Sequence, residues 1–503
     1  MITPTFELFS QKAKEGNLIP VYREILADTE TPVSAFLKIK EGDITHGSNY
    51  SYLLESVEGG QKWGRYSFLG TSPSIIIKGA GAIVEIIEGN NCERLYNENP
   101  LQVLKRVMAR FKPVQIKGLP RFVGGAVGFI GYEGVRFFES VQFKSEKDET
   151  DFFFMFTDTF LVFDNLKHKI KIVTNAFIEN CDLKEAYQEA VAKIDATAAL
   201  LALPLGKVEQ LLSIDEKKNK SVSPPVSNMS KETFIQSVHK AKELICAGDI
   251  FQVQLSQRFS TPICSDPFVV YRALRSINPS PYMYYLQLGS LHLVGTSPEV
   301  LVRLEGKRAE VRPIAGTRRR GGTAQEDLAL EKELLADPKE RAEHIMLVDL
   351  GRNDLGRVCN YGSVQVTELM VVERYSHVMH IVSNIVGQLR DPSDAFSLLE
   401  VCFPAGTVTG APKIRAMQII DALEPDSRGL YAGTVGYFGF DGNMDTCITI
   451  RTIVIENTVA TVQAAAGIVA DSDPNSEYEE TMNKAKAMLS AIEMAEGGSG
   501  PQR

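Results

Sequence analysis

Apolar and polar positions divide the chain into a strand-rich first part and a mixed second part. Over much of 1–175, β-branched and aromatic residues alternate between Gly turns, which predicts mainly strand. Ile75-Ile76-Ile77-Lys78 followed by GAGAIVEII is an example. The densest apolar patch, FFFMFTDTFLVF at 152–163, is broken by Asp158 and reads as buried strand. A membrane helix would need about 18 or more apolar residues in a row. A helix is predicted over 182–202. Residues 204–229 are rich in Lys, Ser and Pro and poor in periodic apolar positions, so a linker is placed there.

Beyond the linker, helix signals are sharper. Ser230 reads as an N-cap, Phe234, Val238, Ala241 and Ile245 follow at helical spacing, and Gly248 ends the run. Strands are predicted in 250–260 and 282–304. Thr323 with Glu326 has the capping-box pattern. Asp337-Pro338 and Asp473-Pro474 each open a helix with Pro at the first turn, and the latter runs to about Ala495.

Two fragments recur in the same order. GTSP stands at 70–73 and 295–298, and G-x-V-G-aromatic-x-G-aromatic at 125–132 and 433–440. This order favours an internal duplication over chance recurrence of Gly-Val-aromatic strings. The copies differ in chemistry, because Ser74 follows the first GTSP and Glu299 the second.

Composition narrows the class without naming a reaction. The 503 residues are 44% apolar and 23% charged, with a net charge of −9. That suits a folded protein and disfavours non-specific binding to nucleic acid or an anionic membrane. The cysteines at 92, 181, 246, 264, 359, 402 and 447 are odd in number and form no C-x-x-C, arguing against a zinc cluster or a disulfide framework. The first residues lack the basic start and apolar stretch of a signal peptide, so a cytoplasmic location is expected.

Common nucleotide motifs fail. GAGAIV at 79–84 lacks the third Gly of a dinucleotide fingerprint, and GTVTGAPK at 406–413 has the wrong spacing for a P-loop. Two acidic helices remain. Glu340 and Glu343 are three apart on one, and Glu477 and Glu480 on the other, with Lys484 on the same face. Two such faces brought together offer oxygen donors suited to Mg²⁺. A single pair of this kind is most often a solvated helix face. Arg451 sits in an otherwise apolar strand, CITIRTIVI, where a buried charge needs a partner such as a ligand carboxylate. Gly406, Thr407 and Gly410 form a loop able to turn backbone N–H groups to an anion. His377 and His380 lie in a β-branched stretch, and Arg318-Arg319-Arg320 reads as a solvated turn.

Together these pieces resemble the chorismate-utilising enzyme family, and within it the large subunits (component I) of anthranilate synthases. The matching stretches include LLES at 53–56, DIFQVQLSQRF at 249–259, NPSPYM at 278–283, GTSPE at 295–299 and PIAGTRRRG at 313–321. ERAEHIMLVDLGRNDLGRV at 340–358, FPAGTVTGAPK at 403–413, DTCITIRT at 445–452 and SEYEETMNKAKA at 476–487 continue the series. The resemblance implies an α+β fold: a large antiparallel β sandwich flanked by helices. It implies an N-terminal β-rich regulatory region over 1–203, a catalytic domain over 230–497 and a disordered tail at 498–503.

The resemblance also implies roles. Glu343 and Glu480 would ligate Mg²⁺, with Glu340 and Glu477 assisting and Lys484 near the ring carboxylate. Tyr431 and Arg451 would bind the enolpyruvyl carboxylate beside Ala465, Ala466 and Gly467, and Gly316, Thr317 and Thr407 would line the site. Glu299 would be the general acid and His380 would assist pyruvate loss. Water-using relatives carry Lys where this chain has Gln252, and aminodeoxychorismate-forming relatives carry Lys where it has Ala315. Both differences point to ammonia as nucleophile and anthranilate as product. Aminodeoxychorismate formation, or a silent amino-acid-sensing homologue, is the alternative. Relatives often have Gly at the position of Ala465. Glu55, Ser56, Pro281, Tyr282 and Met283 resemble the family's tryptophan feedback site, against the plainer reading of strand packing between halves. Ammonia would come from a separate glutamine amidotransferase subunit, in a heterotetramer.

Overall fold

A computed structural model describes residues 1–44, 49–56, 64–141, 143–144, 150–179, 181–205, 223–375 and 378–497. Most of the expected linker, His377 and the tail at 498–503 lie outside the described residues.

Local chemistry sets the helix starts. Ser230 caps the helix Lys231–Cys246 by accepting the Thr233 N–H. Asp337 caps Pro338–Gly356 through the N–H groups of Lys339 and Glu340, and Asp473 caps Pro474–Ala495 through that of Ser476. Thr323 caps Ala324–Ala336, but the expected box is not closed in the usual way. The Glu326 carboxylate accepts instead from Gly322, one residue before the cap.

The strands form two large antiparallel sheets that pack as a sandwich. Both sheets run through both halves of the chain. In the first, Tyr50–Glu55 pairs with Tyr282–Leu288; in the second, Gly125–Ile130 pairs with Thr434–Gly439. From each seam the strand order is mirrored outward. Tyr66–Thr71, Thr159–Asp164 and Lys169–Phe177 follow on one side of the first sheet, and Leu291–Ser297, Thr452–Glu456 and Val459–Ile468 on the other.

The repeated fragments occupy equivalent places in this pattern. Gly128 and Gly436, the middle glycines of the two copies, are direct partners across the second seam. A Cβ on Gly128 would lie 1.8 Å from the Phe153 carbonyl oxygen, and one on Gly436 2.2 Å from that of Asp445. The glycine of each GTSP makes room for a tyrosine ring on the neighbouring strand, Tyr52 against Gly70 and Tyr284 against Gly295. Each ring ends on a threonine hydroxyl, Thr157 at 3.0 Å and Thr452 at 2.6 Å. The duplication is therefore structural, and its glycines serve close packing.

The continuous apolar run also has its reason. It forms two strands, Thr150–Phe156 and Thr159–Asp164, joined at Thr157-Asp158. In the first, Phe152, Phe154 and Phe156 enter one core and Phe153 and Met155 the other, so neither face sees water. Helices cover the outer faces, among them Leu183–Ala202 and Pro474–Ala495 on the first sheet. No helix of the described residues is long and apolar enough to cross a membrane.

Candidate active site

The candidate residues converge at one end of the C-terminal half. The small side chains of Ala464, Ala465 and Ala466 sit on the strand Val459–Ile468, paired to Gln252–Pro262 with Gly467 opposite Gln254. A Cβ on Gly467 would meet the side-chain amide nitrogens of Gln252 and Gln254, each at 2.8 Å. The final helix packs on this strand, and Lys484 Nζ donates to the Ala465 carbonyl at 3.0 Å and pairs with Glu480 at 2.6 Å. Arg451 has φ +52° and donates to the Lys484 carbonyl at 2.6 Å. Burial lowers its pKa, with Tyr431 and Glu480 acting the other way. Burial raises the Tyr431 phenol to about 12. The alanine at 465 leaves these contacts in place, because its carbonyl, not its side chain, takes the lysine.

Glu299 follows the second GTSP and is 6% exposed. Its cavity is bounded by Pro313, Leu350, Cys402, Thr407 and Ile448, mostly apolar walls. Burial pushes its carboxyl up to about 8, softened by the Thr407 hydroxyl, the Ile314 N–H and the Lys484 charge. The group is thus protonated at neutral pH. Gly406 lets this wall close, since a Cβ there would lie 1.9 Å from Leu350.

His380 faces Thr317 across a bulged strand pair that includes Gly316, φ +70°. Its Nδ1 is 3.0 Å from the Gly316 carbonyl oxygen and 3.1 Å from the Thr317 hydroxyl. A carbonyl only accepts, so Nδ1 carries the proton and Nε2 keeps a lone pair. Burial pushes the imidazole down to about 4, with the Arg451 and Lys484 charges adding to the fall. The ring is therefore neutral at pH 7.

On the first acidic helix, Glu343 accepts from Gln252 Nε2 at 2.7 Å. Burial raises the Glu343 pKa, and Glu340 and Glu480 push it the same way. Glu477 is raised by burial and by Glu480. The four carboxylates thus share one field, yet cations hold two of them aside: Arg318 is 3.2 Å from Glu340, and Lys484 holds Glu480. Among the described residues, no group of three or more His, Cys, Asp or Glu side chains is gathered closely enough to hold a metal ion.

The Arg318-Arg319-Arg320 stretch is not a solvated turn. Arg318 bridges Glu333, Asp337 and Glu340, and Arg320 pairs with Asp327 at 2.6 Å. Sequence reasoning also missed Arg428 and Glu424, buried together at 2.7 Å. The only signal for them was charge in a short segment, DALEPDSRGLY, that runs from a helix end towards a core strand.

Residues 51–490 match the family described as chorismate binding enzyme. The chain belongs to that family. It is 49% identical over 499 residues to the anthranilate synthase component 1 of Acetivibrio thermocellus, covering 98% of this chain and 99% of the relative. It is 50% identical over 482 residues to that of Aquifex aeolicus, covering 95% and 96%. Among solved structures, anthranilate synthase component I from Streptococcus pneumoniae superposes with a TM-score of 0.73 at 37% identity, covering 86% of this chain and 95% of that one. The menaquinone-specific isochorismate synthase of Escherichia coli gives 0.69 at 19% identity over 97% and 99%, a likeness of fold alone. This family member is an enzyme homologous to anthranilate synthase large subunits.

The five residues placed with tryptophan feedback lie at the first seam, with Glu55 directly opposite Met283. Their side chains divide between the two faces of the sheet. The Glu55 carboxylate already takes the Tyr271 hydroxyl at 2.5 Å and Arg275 at 2.9 and 3.1 Å. Tyr282 points the other way, donating to Asp445 at 2.7 Å, and Met283 is buried in the core. Ser56 and Pro281 are half-buried at the strand ends.

Proposed function

We propose that this protein converts chorismate and ammonia to anthranilate and pyruvate, as the large subunit of an anthranilate synthase that opens tryptophan biosynthesis. The observation that carries the reading is Glu299, a carboxyl kept protonated by an apolar wall beside Thr407 and Ile314. A proton donor there, with glutamine at 252 and alanine at 315 where relatives with other chemistry carry lysine, leaves ammonia as the nucleophile.

Tyr431 and Arg451 hold the enolpyruvyl carboxylate, and Lys484 lies near the ring carboxylate. Glu299 gives its proton to the 4-hydroxyl, which leaves as water while ammonia bonds to C2 and both ring double bonds shift; the new ammonium group then loses one proton, which restores the acid form of Glu299. His380 then takes the C2 proton on Nε2. The C3–O bond breaks, releasing enolpyruvate, which becomes pyruvate as the ring turns aromatic. Ala465, Ala466, Gly467, Gly316 and Thr317 keep the floor and wall thin enough for the ring to approach. The donor set fits Mg²⁺ in its chemistry: the Glu343 carboxyl is raised by burial and by the Glu340 and Glu480 charges, and that of Glu477 by burial and by Glu480, a repulsion that a hard divalent cation relieves. Glu343 and Glu480 would hold it, with Glu340 and Glu477 close by, and it supplies charge stabilisation for the ring carboxylate.

A separate glutamine amidotransferase subunit supplies the ammonia, and tryptophan acts at the seam that holds Glu55 and Met283. The test is incubation of the pure chain with chorismate, Mg²⁺ and ammonium, following anthranilate fluorescence. Chorismate left intact refutes the reading. A non-fluorescent aminated product that keeps the enolpyruvyl group assigns the chain to aminodeoxychorismate formation instead.

A further inference from the structure

Arg428 lies behind the substrate wall and touches three of its parts. Its guanidinium donates to the Val408 carbonyl of the 406–408 turn at 2.7 Å and to the Gln254 carbonyl at 2.8 Å. Gln254 is the residue paired with Gly467. The same group makes two bonds to Glu424, at 3.0 and 2.7 Å, and sits 5.6 Å from the Tyr431 ring centroid. Glu424 in turn accepts from the Ser256 N–H and hydroxyl, both at 2.8 Å. Arg428 is 2% exposed, and burying a guanidinium is costly unless its donors are used. Here both terminal nitrogens and Nε find acceptors. The planar fork reaches a strand, a turn and a helix end at once, which a lysine cannot do.

The N-terminal half holds this arginine from the other side. Glu133 follows the GAVGFIGY fragment and is buried at 5% exposure. Its two oxygens accept the backbone N–H groups of Arg428 at 2.7 Å and Gly429 at 2.9 Å. Tyr132 N–H donates to the Gly429 carbonyl at 2.7 Å, and its ring lies 4.8 Å from the guanidinium. The segment leading to Tyr431 is therefore clamped between halves.

We infer that Arg428, seated by Glu133 of the N-terminal half, is a positioning residue that sets Tyr431, the Gln254 strand and the 406–408 turn to receive the substrate's enolpyruvyl carboxylate. It rests on the chorismate reading above and touches no reacting atom.

The experiment compares wild type with Arg428→Lys, Arg428→Ala and Glu133→Gln in the full chain. Chorismate affinity is measured by calorimetry with Mg²⁺ and no ammonia, and KM and kcat with ammonium. Arg428→Lys should weaken chorismate binding and raise KM about tenfold or more, with a smaller fall in kcat, because a misplaced wall costs binding before chemistry. Glu133→Gln, which keeps the volume but can accept only one of the two N–H groups, should move KM the same way by about threefold. Guanidinium ion should restore part of the affinity of Arg428→Ala, and methylammonium should not. Arg428→Lys and Glu133→Gln with affinity and KM within about twofold of wild type would overturn the inference. If Arg428→Lys does not fold, Glu133→Gln decides by the same threshold. Wild type that binds chorismate without making anthranilate refutes the proposed reaction, and the affinity arm still decides the role of Arg428.

Discussion

Replacing Glu299 with glutamine should make the protein less active and more stable. The folded-state carboxyl titrates near 8 against an ordinary value of 4.5. Between those values the folded state holds a proton that the unfolded state has released. Stability therefore falls as pH rises from about 4.5 to 8 and is level on either side. At pH 7 the gap of about 2.5 pH units corresponds to about 3 kcal/mol, an order-of-magnitude figure at 1.36 kcal/mol per unit. Glutamine keeps the shape and the hydrogen-bond acceptor but never ionises, so that cost disappears. A chain of 503 residues has an unfolding entropy on the order of 1 kcal/mol per degree, so the melting temperature should rise by about 3 °C at pH 7. The difference should vanish at pH 4. Turnover should fall 10²- to 10⁴-fold, roughly the worth of a general acid. In wild type, kcat/KM per free ammonia should decline above about pH 8 as the acid form is lost. The assays are anthranilate fluorescence and scanning calorimetry at pH 4, 7 and 9. A loss of less than about tenfold would refute the proton-donor assignment. A melting temperature that drops, or a difference that ignores pH, would refute the burial argument.

Other outcomes test the rest of the site. Glu343→Gln or Glu480→Gln should abolish Mg²⁺-dependent turnover while circular dichroism stays unchanged; turnover saturating at the same Mg²⁺ concentration as wild type would remove them from the metal site. Gly467→Ala pushes a methyl to 2.8 Å from the Gln252 and Gln254 amides, and should cost about 1–2 kcal/mol of stability and at least tenfold in kcat/KM, read by urea unfolding and steady-state kinetics. Glu55→Gln breaks a buried, charge-assisted set with Tyr271 and Arg275, so the melting temperature should fall along with tryptophan sensitivity. Loss of tryptophan sensitivity at an unchanged melting temperature would show Glu55 to be a ligand contact without a structural share.

The residue pattern read most securely where the physics is local. Ser230, Asp337 and Asp473 cap their helices because a short polar side chain reaches N–H groups only two or three residues ahead, whatever the rest of the fold does. The Glu326 carboxylate shows the margin of error, since Gly322 competes successfully for it one residue away. The repeated glycines marked a duplication because tight strand packing leaves a mark on composition. That Gly128 would face Gly436 was not visible, since register depends on which strands meet.

Charges behaved differently. The pattern on two separate helices marked Glu340, Glu343, Glu477 and Glu480 as paired acids, but nothing local required the pairs to share a field. The Arg318 stretch looked solvated because its partners, Glu333, Asp337 and Glu340, enter from a later helix pair. That Glu55 would also meet Arg275 was not visible, because the two stand 220 positions apart along the chain. Arg428 and Glu133 come from opposite halves.

What the chain determined by itself was its list of elements, its duplicated plan, its family and the residue types able to carry the chemistry, because periodicity, caps and motifs act over a few residues. The tertiary structure alone decided which ionisable groups lose water and which charges meet. Desolvation and charge pairing depend on distance in space, and burial moved Glu299 to about 8 and His380 to about 4 in a way no neighbour in sequence announces.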